Sequence, residues 1–304
     1  MKKLVLAGGS GFLGSLLAAH FKNSFDDIVV LARKAKPPHQ NIRFVIWDGQ
    51  RLGAWQAELN NADVLINLTG KNVNCRYTQK NKNEILASRL DSTRVLGAAI
   101  RAANNPPNIW IQCASSTIYE HSFEPNDENS NKIGNDFSMT VCKKWEQTFW
   151  EESCIATKKI LLRTAIVLGR DGGAWPLMER LLRFGLGGTQ GTGRQMISWI
   201  HEYDFVRVVE WLLVHGKPNG VYNVCSPTVV SNKDFMQTAR HVMKIPFGLP
   251  SPQWLLELGS AIIQTETELV LKSRYVSPKN LLTEGFTFQF EQLEYTVQDL
   301  ISDR

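Results

Sequence analysis

The sequence predicts an α/β fold: a doubly wound parallel sheet with a smaller C-terminal α+β lobe. Three observations carry that expectation. A glycine-rich turn, "GGSGFLG", follows directly on a short apolar run near the start; apolar β-rich runs alternate with helical patterns over residues 1–169; and after Gly169 the pattern changes to short segments between glycine-rich stretches. Strand-helix alternation is what a parallel sheet requires, because each parallel pair needs a long crossover, usually a helix. A chain of 304 residues with 43% hydrophobic content can bury one large core together with a smaller lobe.

The first element lies in "LVLAGGSGFLGSLLAAHF". Coming after Met1, Lys2 and Lys3, it competes with a secretory signal, which needs about 7–15 uninterrupted apolar residues. Only Leu4 to Ala7 precede the glycines, and Gly8, Gly9, Gly11 and Gly14 oppose the short helix of a signal. The stretch reads instead as a strand at Lys3–Ala7, a tight turn at Gly8–Gly11 and a helix at Phe12–Phe21. A turn without Cβ atoms lets the backbone approach a pyrophosphate, whose charge then falls on the helix N-terminus. The GxxGxxG spacing of Gly8, Gly11 and Gly14 differs from the GxGxxG of many dehydrogenases, so its meaning rests on this strand-turn-helix context.

Further strands are expected at Ile28–Ala32, Ile42–Trp47, Val64–Leu68, Ile109–Cys113 and Lys159–Val167. Between the fourth and fifth, "NEILASRLDSTRVLGAAIRAA" places Ile85, Leu86, Leu90, Val95 and Leu96 at helical intervals, and "NNPPN" ends the helix. Residues 1–169 form the nucleotide domain of this reading and 170–304 the second lobe, with part of 195–230 returning to the first and a C-terminal extra domain from about residue 247. Helices are expected at Asp204–His215, Asn232–Met243 and Pro252–Ile263, with a short one after Phe290.

Composition excludes several classes. The 34 Lys and Arg against 29 Asp and Glu give a net charge of +5, but the basic residues are dispersed, so nucleic acid is not implied. The five cysteines form no CxxC pair and are odd in number, which argues against a disulfide framework or a zinc site and for a reduced, cytoplasmic setting. No apolar run approaches the roughly 18 residues of a membrane span. A small-molecule ligand is the expected partner.

In a dinucleotide fold the residue ending the second strand meets the adenosine ribose, where an acidic side chain favours NAD and an arginine accommodates the 2′-phosphate of NADP. This strand ends "VVLARK". Arg33 and Lys34 stand where an NAD enzyme carries its acid, and a guanidinium can hold a phosphate through two hydrogen bonds. NADP(H) is therefore the expected cofactor.

The motifs "AGGSGFLG", "VLARK", "ADVLINLTGKNV", "ILASRLDSTRVL", "KKWE", "RTAIVLGRDGGAW", "GLGGTQGTGRQMISWIHEYD" and "RYVSPKNLLTEGFTFQF" together resemble an atypical group of extended short-chain dehydrogenases/reductases, the epimerase family proteins. The resemblance covers essentially the whole chain and implies an NAD(P)-binding Rossmann fold; the region from about "FGLPSPQWLL" looks like the group's small extra domain. Carried over residue by residue, it places the pyrophosphate at Gly8, Gly9, Ser10, Gly11, Phe12 and Leu13 and the 2′-phosphate at Arg33. It adds Leu68, Thr69 and Gly70 as backbone contacts to the cofactor, Glu84 and Arg89 on the long helix, and Val167 after the sixth strand.

Ordinary members of the wider superfamily use a Tyr and a Lys at YxxxK spacing, the Lys lowering the Tyr pKa and the phenol moving the proton. Aligned on Trp145 and Glu146, these positions fall here on Ser138 and Cys142 of "DFSMTVCKKWE", and Lys143 is turned about 100° away around the helix. The atypical group shares this loss. A mid-helix Cys142 reads as a small core residue. "CASSTIYE" resembles the superfamily's serine-bearing loop, making Ser115 the hydroxyl that holds a substrate oxygen, with Ser116 and Thr117 as neighbouring alternatives and Tyr119, four residues on, as the candidate proton carrier. In "QMISWIHEYDF", His201, Glu202 and Asp204 lack a second His or Cys at metal spacing, so no metal is expected and Asp204 is read as a helix cap. His201, with Arg194 and Gln195, is expected to face the cleft and contact substrate.

Two functions follow. One is an NADP(H)-dependent oxidoreductase or epimerase acting on a small polar, sugar-like substrate; the other is a non-catalytic NADP(H)-binding protein that reports redox state to a partner. A homodimer through helix pairing is what the wider superfamily implies.

Overall fold

The computed structural model describes residues 1–251 and 271–302. Along the chain run β1 (Lys3–Ala7), α1 (Phe12–Phe21), β2 (Asp27–Ala32), β3 (Ile42–Ile46), β4 (Val64–Asn67), α2 (Gln79–Ala102), β5 (Ile109–Ser115), α3 (Phe137–Glu151), β6 (Lys158–Thr164), β7 (Ile166–Leu168), α4 (Trp175–Arg183), β8 (Met196–Ile197), β9 (Trp199–His201), α5 (Glu202–His215), β10 (Gly220–Val224), β11 (Val230–Ser231), α6 (Asn232–Val242), α7 (Lys279–Thr283) and α8 (Leu293–Ile301). The helix expected at Pro252–Ile263 falls outside the described residues.

Seven strands make one parallel sheet in the order β10-β6-β5-β4-β1-β2-β3. Its order reverses between β1 and β4, the place where open α/β sheets bind ligands. Alternate residues feed two cores. Leu4, Leu6, Val30, Ile66 and Ile111 pack with Leu17 and Phe21 of α1 and Phe205 and Leu212 of α5; Val5, Leu31, Leu65 and Trp110 pack with Leu96 and Ile100 of α2 and Trp145 and Phe149 of α3. A strand buried on both faces reads as a continuous apolar run, which is why β1, β2 and β4 were visible in the sequence.

Three expectations change. The run Lys159–Val167 is two strands: β6 ends at Thr164, the Ala165 amide donates to Val224 O, and β7 leaves the sheet to pair with β9. The returning part of 195–230 includes α5 and a seventh strand, β10, parallel to β6. And α5 starts two residues earlier than expected. His201 caps it, its Nδ1 accepting from the Tyr203 amide, while Asp204 lies fully buried in the first turn and accepts from Arg207 and the amides of Gln289 and Phe290.

The second lobe has its own core, in which Trp175 and Leu182 of α4, Phe235 and Met236 of α6, and Val297 and Leu300 of α8 meet Trp199. The edge of the sheet is tied together by a buried polar network. Arg163 of β6 donates from Nε and Nη2 to the two Glu146 carboxylate oxygens of α3 (2.9 and 2.8 Å) and from Nη1 to the Tyr119 hydroxyl (2.8 Å). That hydroxyl lies 2.9 Å from Asn223 Oδ1 of β10 and 3.0 Å from Asp127 O. Burial raises the Glu146 carboxyl above its usual range, so the guanidinium is what keeps a charge there. Removing one partner of such a pair strands the other in a low-dielectric site. Arg163→Met is expected to cost about 3–5 kcal/mol in urea denaturation, most of it recovered in Glu146→Leu/Arg163→Met; a cost under about 1 kcal/mol would show that the pair does not anchor this edge.

Candidate nucleotide and substrate site

The expected cofactor residues converge at the C-terminal ends of β1, β2, β4 and β7. Gly8 has φ +71°, a left-handed conformation that favours glycine, and its amide donates to Leu31 O (2.9 Å), extending the β1–β2 ladder into the turn. A Cβ on Gly8 would lie 2.7 Å from Thr69 Oγ1, so the turn abuts the end of β4. A Cβ on Gly14 would fall 2.2 Å from Gly9 O; only glycine lets α1 begin this close to the turn. Gly11 is different, with no atom within 4 Å of its Cβ position. It is exposed, as is Ser10, at the start of α1, where free amides favour an anion.

Phe12 and Leu13 are half-buried in the first turn of α1. The Phe12 ring fills the space over Gly169 and Gly172, where Cβ atoms would come within 2.2 Å of it, and so couples the turn to the loop after β7. Val167 is buried, and its carbonyl accepts from Ala174. At β4 the Leu68 amide donates to Ala7 O, and Asn67, buried against Gln112, accepts from the Thr69 amide. Thr69 Oγ1 is buried with no hydrogen-bond partner among the described residues, and a Cβ on Gly70 would sit 3.0 Å from Arg89 Cζ. An orphaned hydroxyl, an open glycine at a helix start and a glycine-rich turn fit a dinucleotide.

Arg33 and Lys34 are exposed just past β2, and Arg33 forms no hydrogen bond or ion pair with the described residues. Glu84 pairs instead with Lys71, which holds its carboxyl below the usual range. Arg89 is half-buried, donates from Nη1 to Lys71 O and Ile85 O, and lies 5.1 Å from the Trp145 ring. Burial lowers its pKa, so an anion beside it would gain strongly.

The residues expected to act on substrate divide. Ser115 is half-buried at the end of β5, where Oγ accepts from the Thr117 amide (3.2 Å) and donates to Thr117 Oγ1 (3.0 Å); Ser116 is buried. Tyr119 corrects the expectation for a proton carrier: it is 0% exposed, its hydroxyl is enclosed by Arg163, Asn223 and Asp127, and burial pushes its pKa up to about 12. His201 also departs from expectation. It is buried, stacked on Phe290 and 3.2 Å from Asp299, beside a separate cavity of about 410 Å³ bordered by Arg170 and Glu202. Gln195 is buried and donates to Gln190 O, whereas Arg194 is exposed. Ser138 and Cys142 share a face of α3; burial pushes the Cys142 thiol up to about 12, as a core cysteine requires, and Lys143 points to Asn135. Sequence reading missed Tyr77, whose hydroxyl lies 3.2 Å from Ser138 Oγ, because its loop has no periodicity.

Residues 4–225 match the NAD dependent epimerase/dehydratase family, and residues 251–300 match a domain of unknown function, DUF1731. The chain belongs to that family. Epimerase family protein YfhF of Bacillus subtilis is 33% identical over 303 residues, covering 99% of this chain and 98% of its own. Epimerase family protein SDR39U1 of mouse is 27% identical over 305 residues, covering 99% and 100%. Among solved structures, human epimerase family protein SDR39U1 (isoform 2) with NADPH superposes with a TM-score of 0.88 at 27% identity, covering 99% of this chain and all of that one. The MoeE5 complex with UDP-glucuronic acid and NAD, at 19% identity and a TM-score of 0.77 over 98% of both chains, shares the fold. Family membership agrees with the Rossmann-type sheet, and no helix among the described residues is long and apolar enough to cross a membrane.

Gly11 and Gly14 separate the two jobs of the turn. Gly11→Ala is expected to melt within about 2 °C of wild type yet to weaken NADPH binding about tenfold or more, because its Cβ enters only the anion space; Gly14→Ala is expected to lower the melting temperature by several degrees. Thermal melts paired with NADPH titration check both, and a Gly11→Ala protein with wild-type affinity would remove the anion from this turn.

Proposed function

We propose that the chain is an NADP(H)-dependent oxidoreductase or epimerase acting on a small polar carbonyl or alcohol, held between the C-terminal edge of the sheet and the second lobe. The observation that carries this reading is the exposed Arg33 at the end of β2, without an acidic partner and beside a turn built for a pyrophosphate. NADPH in the human relative's structure supports the cofactor assignment.

Gly8, Gly9, Ser10, Gly11, Phe12 and Leu13 would hold the pyrophosphate by backbone amides and the α1 terminus, with Arg33 on the 2′-phosphate. Leu68, Thr69, Gly70, Glu84, Arg89 and Val167 would line the rest of the dinucleotide. The nicotinamide, when bound, supplies or accepts a hydride. Ser115 would orient the substrate oxygen by a hydrogen bond, and the exposed Arg194 would reach the substrate from the glycine-rich loop; Ser116 and Gln195, being buried, would support these positions rather than touch it, and His201, at its separate cavity, would take no part. A cytoplasmic setting and a homodimer complete the proposal. Ser138 and Cys142 in the Tyr and Lys positions favour a second reading, a non-catalytic NADP(H)-binding sensor.

The test is NADPH oxidation at 340 nm with a panel of aldehydes, ketones and keto-sugars. Wild type is expected to turn over with at least one class, and Arg33→Ala to raise the KM for NADPH about tenfold or more, as loss of a charge-assisted phosphate contact implies. Tight NADPH binding without turnover across the panel would favour the sensor.

A further inference from the structure

Helix α3 carries neither the phenol nor the ammonium of the wider superfamily, but its neighbours bring comparable chemistry to the same face. Ser138, Cys142 and Trp145 succeed one another at intervals of four and three residues, one stripe of the helix. At the Ser138 end stands Tyr77, from the loop between β4 and α2, with its hydroxyl 3.2 Å from Ser138 Oγ and its ring edge-on to Phe137 at 4.9 Å between centroids. At the Trp145 end stands Arg89 of α2, its Cζ 5.1 Å from the indole. A phenol and a cation therefore stand at the two ends of this stripe, both contributed from outside the helix.

Arg89 is suited to balancing a negative charge. Its hydrogen bonds among the described residues go to neutral carbonyls, Lys71 O and Ile85 O, and no carboxylate among those residues pairs with it. Cys142 and Tyr77 are near enough that a negative charge on either would favour the protonated guanidinium. Tyr119, the other phenol near this edge, is enclosed by the Arg163 network and cannot reach a ligand.

We propose that Tyr77 is the proton-transferring residue of this site, with Arg89 as the cation that stabilises its conjugate base; the inference rests on the oxidoreductase reading above. In the reducing direction, the Tyr77 Oη–H bond breaks as an O–H bond forms at the substrate's carbonyl oxygen. The electron pair of the broken bond stays on Oη as a phenolate, whose charge Arg89 offsets. Solvent returns the proton by way of Ser138 Oγ, and in the oxidising direction the same atoms run in reverse. The carbonyl carbon receives its two electrons as the hydride that NADPH supplies.

The measurement is a pH titration of apo protein labelled with ¹³Cζ-tyrosine, in which Tyr77→Phe identifies the Tyr77 resonance among the six tyrosines. A cation near a phenol favours its ionised form by about one to three pH units. The Tyr77 midpoint is expected below about pH 9, against about 10 for an ordinary tyrosine. It should rise by at least about one unit, tenfold in proton affinity, in Arg89→Gln and stay low in Arg89→Lys. A wild-type midpoint at or above 10, or one that Arg89→Gln leaves in place, overturns the assignment, and the wild-type value alone decides if the Arg89 variants fail to fold. A parallel NADPH titration keeps the two readings apart: wild type that binds no NADPH defeats the oxidoreductase reading, whereas NADPH binding with an unshifted Tyr77 defeats only this inference.

Discussion

The approach of α1 to the turn that precedes it governs the rest of the molecule. With Gly14 so near Gly9 O that no side chain fits between them, the helix begins directly above the end of β1, and its free amides face the crevice where the strand order reverses. The same closeness sets the position of Phe12, whose ring fills the space over Gly169 and Gly172 and fixes where the chain leaves the sheet for the second lobe. Turn, helix and lobe entry are thus one packing unit, and a methyl group at its centre would have to displace backbone.

Around that unit the polar groups have been redistributed. The wider superfamily keeps its phenol and ammonium on one helix, whereas here the corresponding positions are small and buried, and the charged groups nearby serve other ends. Glu146 and Arg163 tie α3 to β6, and through Tyr119 and Asn223 they reach the edge strand β10. A buried ion pair is weak evidence for net stability, but breaking one leaves an uncompensated charge, so such a network fixes which strands lie together. Tyr119 belongs to that framework. The polar side chains left outside that framework include, among the described residues, Ser115 at the end of β5 and Tyr77 and Arg89 from the β4–α2 side.

Much of the fold was legible because it depends on local periodicity. Strands buried on both faces read as apolar runs, the long helix showed its apolar stripe from Ile85 to Leu96, and the glycines marked the turn. What failed depended on tertiary pairing. Nothing local distinguishes Thr164 as the last residue of β6 from Ile166 as the first of β7; the division exists because β9 is available as a partner. Asp204 resembled a cap by type and position, but the helix begins before it, at Glu202, so Asp204 lies within the first turn and accepts from the Gln289 and Phe290 amides while His201 takes the capping role. Tyr119 was singled out by its spacing from Ser115, which cannot show that Arg163 and Asn223 enclose its hydroxyl. Tyr77 escaped notice because an irregular loop carries no pattern that aims a side chain.

Whether Arg33 reads a 2′-phosphate is tested most directly by calorimetric titration of the nucleotide-stripped protein with NADPH and, separately, with NADH. An exposed arginine with no acidic residue to repel that phosphate predicts NADPH binding at least about tenfold tighter than NADH, the equivalent of about 1.4 kcal/mol. Equal affinities, or no binding of either nucleotide, would contradict it.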